Sequence, residues 1–198
     1  MVVVDEEYAL SVIRKSKNFQ KFEEGKKVKS VSIRVLSDDQ GYVAVVHHAI
    51  VHFECGTDFS FIIKAPSLER CVDTFALDND DPNSLTLVHN RECEVYEFLD
   101  KCNVLAPKLY DMRLATDLVK DPGYILMESF VGRGVVLGLR HQVSSKQVIN
   151  VAHHLGKMRA EVGKIKDVKP WNDPFRVEGT LVDELFDKES TFMGAPTF

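Results

Sequence analysis

Residues 42–64, YVAVVHHAIVHFECGTDFSFIIK, decide the fold of this chain. From 42 to 54, apolar residues occupy the odd positions with the exception of His47, which is typical of a β-strand with one buried face. The segment 55–58 contains a glycine and predicts a turn, and 59–64 predicts a second strand that completes a β-hairpin. Ala65-Pro66 is predicted to end that strand, because proline cannot donate to a strand ladder.

The segments on either side of this hairpin alternate between helical and extended patterns. A helix is predicted at 5–20 and a strand at 31–35. Asp81-Pro82 has the pattern of an N-cap followed by proline, and predicts a helix to about residue 101. Two further strands and two further helices are predicted at 107–116, 123–130, 144–162 and 181–186. This order of elements indicates an α+β fold.

Composition and charge limit the class of protein. The chain has 198 residues, of which 44% are hydrophobic, which is enough for one globular domain with a core. Its formal net charge is −5 with both signs interspersed, so we expect neither nucleic acid nor a membrane as its partner. The four cysteines form no Cys-x-x-Cys pair, and residues 1–7 lack the basic region of a signal peptide. We therefore expect a cytoplasmic protein.

The functional interpretation depends on an acidic residue among apolar helical positions. At about 100° per residue, five apolar side chains lie within about 60° of Glu92. These are Leu85, Val88, Val95, Tyr96 and Leu99. A carboxylate in the middle of such a stripe needs a cationic partner. Lys64 is the candidate because it ends a strand that is apolar on both faces, so the sequence predicts a buried ion pair between Lys64 and Glu92.

Four motifs resemble, in order, those of the choline-kinase-like and ecdysteroid-kinase-like proteins, which are relatives of the aminoglycoside phosphotransferases. GYVA at 41–44 is similar to the phosphate loop of that family, and FIIK at 61–64 is similar to its third-strand lysine. HNRE at 89–92, with Tyr96 one turn later, resembles its helix with the partner glutamate. APKLY at 106–110 and ILME at 125–128 resemble its fourth strand and hinge.

The resemblance covers about residues 28–163 and implies a protein-kinase-like small lobe. That lobe has a five-stranded antiparallel sheet and one key helix, and a truncated helical large lobe follows it. The implied division of the chain is an N-terminal helical extension at 1–27, the small lobe at 28–130, and a hinge with the start of the large lobe at 131–198.

The resemblance also implies a site for ATP, with Mg²⁺ arriving only with the nucleotide. Lys64 would hold the α- and β-phosphates and Glu92 would orient it, so these two are the predicted catalytic-site residues. Gly41 would let the backbone approach phosphate. Asp38 and Asp39 stand beside that loop, where their like charge would repel phosphate.

The adenine part of the implied site involves both side chains and backbone. Val43 and Ile62 would form an apolar roof over the base, although ordinary sheet core explains these two residues equally well. Backbone groups from Glu128 to Phe130 would contact the adenine edge.

The chain departs from the family pattern at several positions. Ala44 stands where relatives often have serine, and Arg159 stands where they commonly have histidine. Phosphoryl transfer in this fold needs a catalytic-loop aspartate, an asparagine and a metal-binding aspartate. The family carries the first in a His-x-Asp motif, and no His-x-Asp occurs in this sequence. We therefore expect a kinase-like protein, in effect a pseudokinase, that does not transfer phosphate as this polypeptide alone.

Two other interpretations remain open. The predicted helix at 144–162 carries an apolar stripe and fits a non-catalytic interaction module that associates with itself or with another protein. An unrelated α+β ligand-binding protein would have a purely structural Lys64–Glu92 pair. No metal site is predicted, because His48 and His52 would be about 13 Å apart on one strand face. Together with His47 they are expected to be partly exposed strand residues.

Overall fold

Five antiparallel strands and four helices form the part of the chain that a computed structural model describes, residues 3–36, 44–67, 82–134 and 142–165. The strands are β1 Val28–Val35, β2 Ala44–Phe53, β3 Asp58–Pro66, β4 Leu109–Arg113 and β5 Tyr124–Glu128. The helices are α1 Glu6–Ile13, α2 Lys17–Glu23, α3 Pro82–Asp100 and α4 Ser145–Val162. The predicted α+β class and five-stranded antiparallel sheet are confirmed.

The strand order β1-β2-β3-β5-β4 puts β3 in the centre of the sheet. Lys64 on β3 lies opposite Val46 on β2 and opposite Ile125 on β5. The strand runs two residues beyond its predicted end, because Pro66 still pairs with Ala44. Proline is tolerated there because the last position of a strand does not need its missing N–H.

The N-terminal segment forms two helices instead of the single helix predicted at 5–20. The first ends at Ile13, and Ser16 has the extended backbone of an N-cap before α2. Asp5 caps α1 by accepting a hydrogen bond of 2.8 Å from the N–H of Tyr8. Ala9, Val12, Ile13 and Phe19 are fully buried, and they share one core cluster with residues of the sheet. The break redirects the chain so that both helices contribute to that core.

Each face of the sheet carries its own apolar cluster. Phe61 and Ile63 on β3 point to the cluster that contains α1 and α2. Ile62, one residue away, points to the opposite face and packs with Cys93 of α3. This alternation follows from the two-residue period of a strand, and it puts Lys64 on the same face as Ile62 and α3.

α4 begins where the sequence predicts, at a capping box between Ser144 and Gln147. All residues from 145 to 160 are exposed. In the described part of the chain, no helix combines the length and the apolar character that crossing a bilayer requires. The short helix predicted at 181–186 lies outside the described residues.

Candidate functional site

The structure brings Lys64 and Glu92 together, as predicted. The ammonium of Lys64 donates a hydrogen bond to Oε1 of Glu92, which joins the central strand to α3. The side chains are 26% and 29% exposed, respectively. The predicted contact is therefore present, but the pair is only partly buried, because each side chain is exposed to solvent over about a quarter of its surface.

The inner face of α3 differs from the stripe that the sequence predicts. Among the side chains of α3 from residue 86 onward, those of His89 and Cys93 are the most deeply buried ones facing the sheet, and Tyr96 packs beside them. At about 100° per residue, Glu92 lies about 60° from His89 and about 100° from Cys93, on the flank of this face. The flank position explains why the Glu92 carboxylate reaches Lys64 and still contacts water.

Two side chains next to Glu92 attach α3 to the segment between β4 and β5. The N–H of Ala115 donates to Oδ1 of Asn90 over 2.8 Å, and Nδ2 of Asn90 donates to the carbonyl of Ala115 over 3.0 Å. The ring Nε2 of His89 is 3.1 Å from the carbonyl of Arg113, to which it donates its proton. These bonds fix the part of the helix that presents Glu92.

The charges of the pair act on the groups around it. Burial and then the Glu92 carboxylate raise the pKa of the Cys93 thiol to about 12. The same two causes raise the pKa of the Tyr96 hydroxyl. Burial lowers the pKa of His89 and outweighs its bond to the Arg113 carbonyl and the Glu92 carboxylate, which both act to raise that pKa. Near neutral pH these three side chains are uncharged neighbours of one ion pair.

Apolar side chains flank Lys64 on its face of the sheet. Ile62, Ile125 and Met127 are buried in one cluster with Cys93. Ile62 lies opposite Met127 in the β3–β5 ladder, two residues before Lys64. This placement is compatible both with a roof over a planar ligand and with ordinary sheet core.

An arginine organises the segment after β5. Arg133 forms an ion pair of 2.7 Å with Glu128, donates to the carbonyl of Ser129, and stacks its guanidinium 4.8 Å from the ring centre of Phe130. The hydrogen bond from Arg133 lowers the pKa of Glu128. Phe130 is 42% exposed. Arg133 is not among the predicted site residues. Its position five residues after Glu128, between two glycines, is the sequence signal that could have indicated this ion pair.

Several predicted site residues cannot be compared with the structure. Gly41 and Val43 lie outside the described residues, as do Asp38 and Asp39 of the same turn. Ala44 is buried at the start of β2, and Arg159 is exposed on α4.

The histidines of β2 differ from one another. His48 is buried, contrary to the expected partial exposure, and its Nε2 lies 2.8 Å from Oγ of Ser60. His52 is partly exposed, as predicted. Among the described residues, no three His, Cys, Asp or Glu side chains are arranged to hold a metal ion.

Comparisons of the chain with models of protein families, with curated proteins and with solved structures gave no significant match.

Proposed function

We propose that this chain is the nucleotide-side lobe of a protein related to small-molecule kinases, and that it binds ATP through Lys64. The observation that carries the proposal is the ion pair between Lys64 on the central strand and Glu92 on the following helix. In kinase folds, a lysine on the third strand contacts the nucleotide phosphates and a glutamate of the next helix orients it. The order of three strands, a helix and two strands is the same.

The partial exposure of the pair supports a ligand role for Lys64. An ammonium group has three N–H donors, and one of them goes to Glu92. A quarter of the lysine side chain faces solvent, and we propose that a phosphate oxygen meets the other donors there. Glu92 restricts the lysine to one region of space before any ligand arrives, which lowers the entropic cost of binding.

The segment after β5 supports the adenine part of the proposal. Its turn is closed by hydrogen bonds from the N–H groups of Arg133 and Gly134 to the carbonyl of Phe130. Among the described residues, the N–H of Phe130 itself has no hydrogen-bond partner. A backbone donor held in a rigid turn beside the sheet is the kind of group that reads the edge of a base.

The proposed activity is binding, since the sequence contains no His-x-Asp motif that would supply a catalytic-loop aspartate. Mg²⁺ would enter with the nucleotide, coordinated by its phosphates. The phosphate acceptor of the related enzymes is not assigned to this chain.

Nucleotide binding is tested by the thermal midpoint of unfolding with and without millimolar Mg-ATP. A ligand present at about 100 times its Kd stabilises the folded state by about 2.7 kcal/mol, which is a shift of several degrees. Lys64→Met keeps the aliphatic stem and removes the charge, so we expect the shift to disappear. We expect Glu92→Gln to weaken binding about tenfold, because the lysine loses its orienting charge. Lys101→Ala is the matched control, since Lys101 forms an exposed pair with Glu97 on α3.

Two results would contradict the proposal. One is the absence of any shift at millimolar Mg-ATP with the wild-type chain. The other is a shift of equal size in Lys64→Met and wild type, which would make the pair purely structural. Far-ultraviolet circular dichroism of both variants checks that each is folded, because removing one partner of a largely buried ion pair can itself destabilise the protein.

A second candidate function is self-association through α4, and the exposure of one helix face favours it. Val148, Val151, Leu155 and Met158 lie on that face and are each more than a third exposed. No residue of the helix is buried against another described element. Two copies of this stripe, packed against each other, would remove these apolar side chains from water.

A further inference from the structure

Three side chains from three adjacent strands form a chain of hydrogen bonds at the end of the sheet remote from Lys64. Oγ of Ser32 on β1 lies 3.0 Å from Nε2 of His52 on β2. Nδ1 of the same ring lies 2.8 Å from Oδ1 of Asp58 on β3. A hydroxyl, an imidazole and a carboxylate are therefore connected in series.

The strand register explains why these residues meet. His52 lies directly opposite Asp58 in the β2–β3 ladder and opposite Ser30 in the β1–β2 ladder. Ser32 is two residues further along β1, on the same face as Ser30, and so occupies the diagonal position from which a side chain can reach His52. The sheet itself holds the three groups in place.

The order of the atoms has a chemical consequence. A carboxylate accepts hydrogen bonds, so Asp58 favours the tautomer of His52 that carries its proton on Nδ1. Nε2 then presents a lone pair, and the hydroxyl of Ser32 donates to it. A nucleophile in contact with a base that a third group orients is the arrangement that activates serine for acyl transfer.

We propose that Ser32 is a reactive nucleophile that accepts acyl groups from small carboxylic esters, with His52 as its general base and Asp58 as the residue that positions His52. Ser32 Oγ forms a bond to the carbonyl carbon as its proton passes to Nε2 of His52. The carbon–oxygen bond to the leaving group then breaks, and the departing alkoxide takes the proton from His52. Water then gives a proton to the same ring and attacks the acyl carbon. The bond from that carbon to Ser32 Oγ breaks, the carboxylic acid leaves, and His52 returns the proton to Oγ.

The exposure of the site defines the class of ester. Ser32 is exposed, and the side chains of His52 and Asp58 are 33% and 55% exposed. Charge that develops on the carbonyl oxygen is therefore stabilised mainly by water instead of by a dry cavity. Esters with small acyl groups and weakly basic leaving groups, such as phenolates, need the least stabilisation and are the expected substrates.

This site is separate from the proposed nucleotide site. Asp58 and Lys64 are six residues apart on the same strand, which corresponds to about 20 Å. The ester chemistry does not depend on ATP binding, and either one can fail without the other.

The separation of the three residues along the chain explains why the sequence analysis did not find this site. Positions 32, 52 and 58 match no local motif, and the sequence predicts His52 only as a partly exposed strand residue and not as a metal ligand. A usable signal was the glycine at 56, because the turn between Phe53 and Thr57 brings His52 opposite Asp58.

The test is covalent labelling of the full chain with a fluorophosphonate probe, which reacts with an activated serine by exchanging fluoride for Oγ. Intact mass and peptide mapping locate the adduct, and we expect it on Ser32. Ser32→Ala should remove it. Ser30→Ala is the matched control, because Ser30 is also exposed on the same face and is not hydrogen-bonded to His52, and this variant should label like wild type.

The role of each partner is tested by rates. We expect His52→Gln and Asp58→Asn to slow labelling of Ser32 at least about tenfold. In wild type the labelling rate should depend on pH through the base, and this dependence should vanish in His52→Gln. Burst release of p-nitrophenol from p-nitrophenyl acetate, lost in Ser32→Ala, would extend the result to an ester.

Two outcomes would overturn the proposal, and neither depends on a variant that folds. One is the absence of an adduct on Ser32 of the native wild type, whether or not other residues are labelled. The other is equal labelling of Ser32 in native wild type and in urea-unfolded wild type, which would show that the fold does not activate the hydroxyl.

Discussion

Gly123 combines a left-handed backbone with close packing. Its φ is +70°, and an added Cβ would lie 2.3 Å from the carbonyl oxygen of Arg113 and 2.7 Å from Nε2 of His89. The backbone therefore passes directly beneath the bonds that attach α3 to the β4–β5 segment. No side chain fits there without moving that backbone.

We expect Gly123→Ala to lower the free energy of unfolding by about 3 kcal/mol or more, because strain and overlap add. Gly56→Ala is the matched control, since Gly56 has a similar φ of +82° and nothing within 4 Å of an added Cβ. It should cost only about 1–2 kcal/mol. Urea unfolding of both variants measures the difference, and equal losses would contradict the packing argument.

The buried histidines predict the acid sensitivity of the fold. Burial lowers the pKa of His89 and of His48 below their ordinary value. As the pH falls below about 6.5, the unfolded chain binds protons that the folded chain does not, so stability decreases until the pH passes the folded-state pKa. The stabilisation is thus complete above the unfolded-state pKa and is lost on the acid side.

For one such histidine the loss is at most about 1.4 kcal/mol per pH unit. Free energies of unfolding at pH 7.5 and 5.5 should therefore differ less in His89→Gln than in wild type. His154→Gln should leave the difference unchanged, because His154 is exposed on α4. A pH dependence that is identical in all three proteins would show that His89 is not the sensitive group.

At the scale of elements, α4 makes the clearest prediction. If its stripe mediates self-association, wild type should form dimers at micromolar concentration, and Leu155→Glu should yield monomers because it places a charge in the interface. His153→Glu is the matched control, since position 153 lies on the opposite side of the helix. Sedimentation equilibrium distinguishes these cases, and a wild-type monomer at about 100 µM would exclude this role for α4.

The elements that the sequence predicts best are those with one dominant periodicity. The hairpin of β2 and β3 and the helix after Ser144 are confirmed, because alternation and a capping box are local signals. The predicted strands at 107–116 and 123–130 have ten and eight residues, whereas β4 and β5 have five each, because pairing stops before the predicted ends.

The inner face of α3 was not predictable from hydrophobicity alone. The helical wheel centred on Glu92 predicts that Val95 and Leu99 are buried, but in the structure both are only partly buried. His89 and Cys93 occupy the contact instead, and His89 is retained there by its bond to the Arg113 carbonyl. The Arg113 carbonyl belongs to β4, so it can be identified as the partner of His89 only when the position of β4 is known.

At the scale of the whole molecule, the N-terminal helices and the sheet share one core. Phe19 of α2 has no exposed surface, and its ring centre lies 5.1 Å from that of Phe59 on β3. A segment that contributes such contacts should unfold together with the sheet.

We therefore expect Phe19→Ala to lower the free energy of unfolding of the whole domain by about 3–5 kcal/mol. Phe130→Ala provides the comparison, because Phe130 is 42% exposed and should lose far less. Far-ultraviolet circular dichroism and tyrosine fluorescence should report one common transition in both variants. Two separate transitions would show that residues 1–27 fold independently.

The attachment of α3 at Asn90 also determines how that helix could pivot. Glu92 is two residues from Asn90, about 3 Å along the helix axis, whereas Pro82 is eight residues from it, about 12 Å away. A tilt of about 10° around Asn90 would displace Glu92 by about 0.5 Å and Pro82 by about 2 Å. A displacement of the first turn of α3 would thus change the distance between Glu92 and Lys64 only slightly.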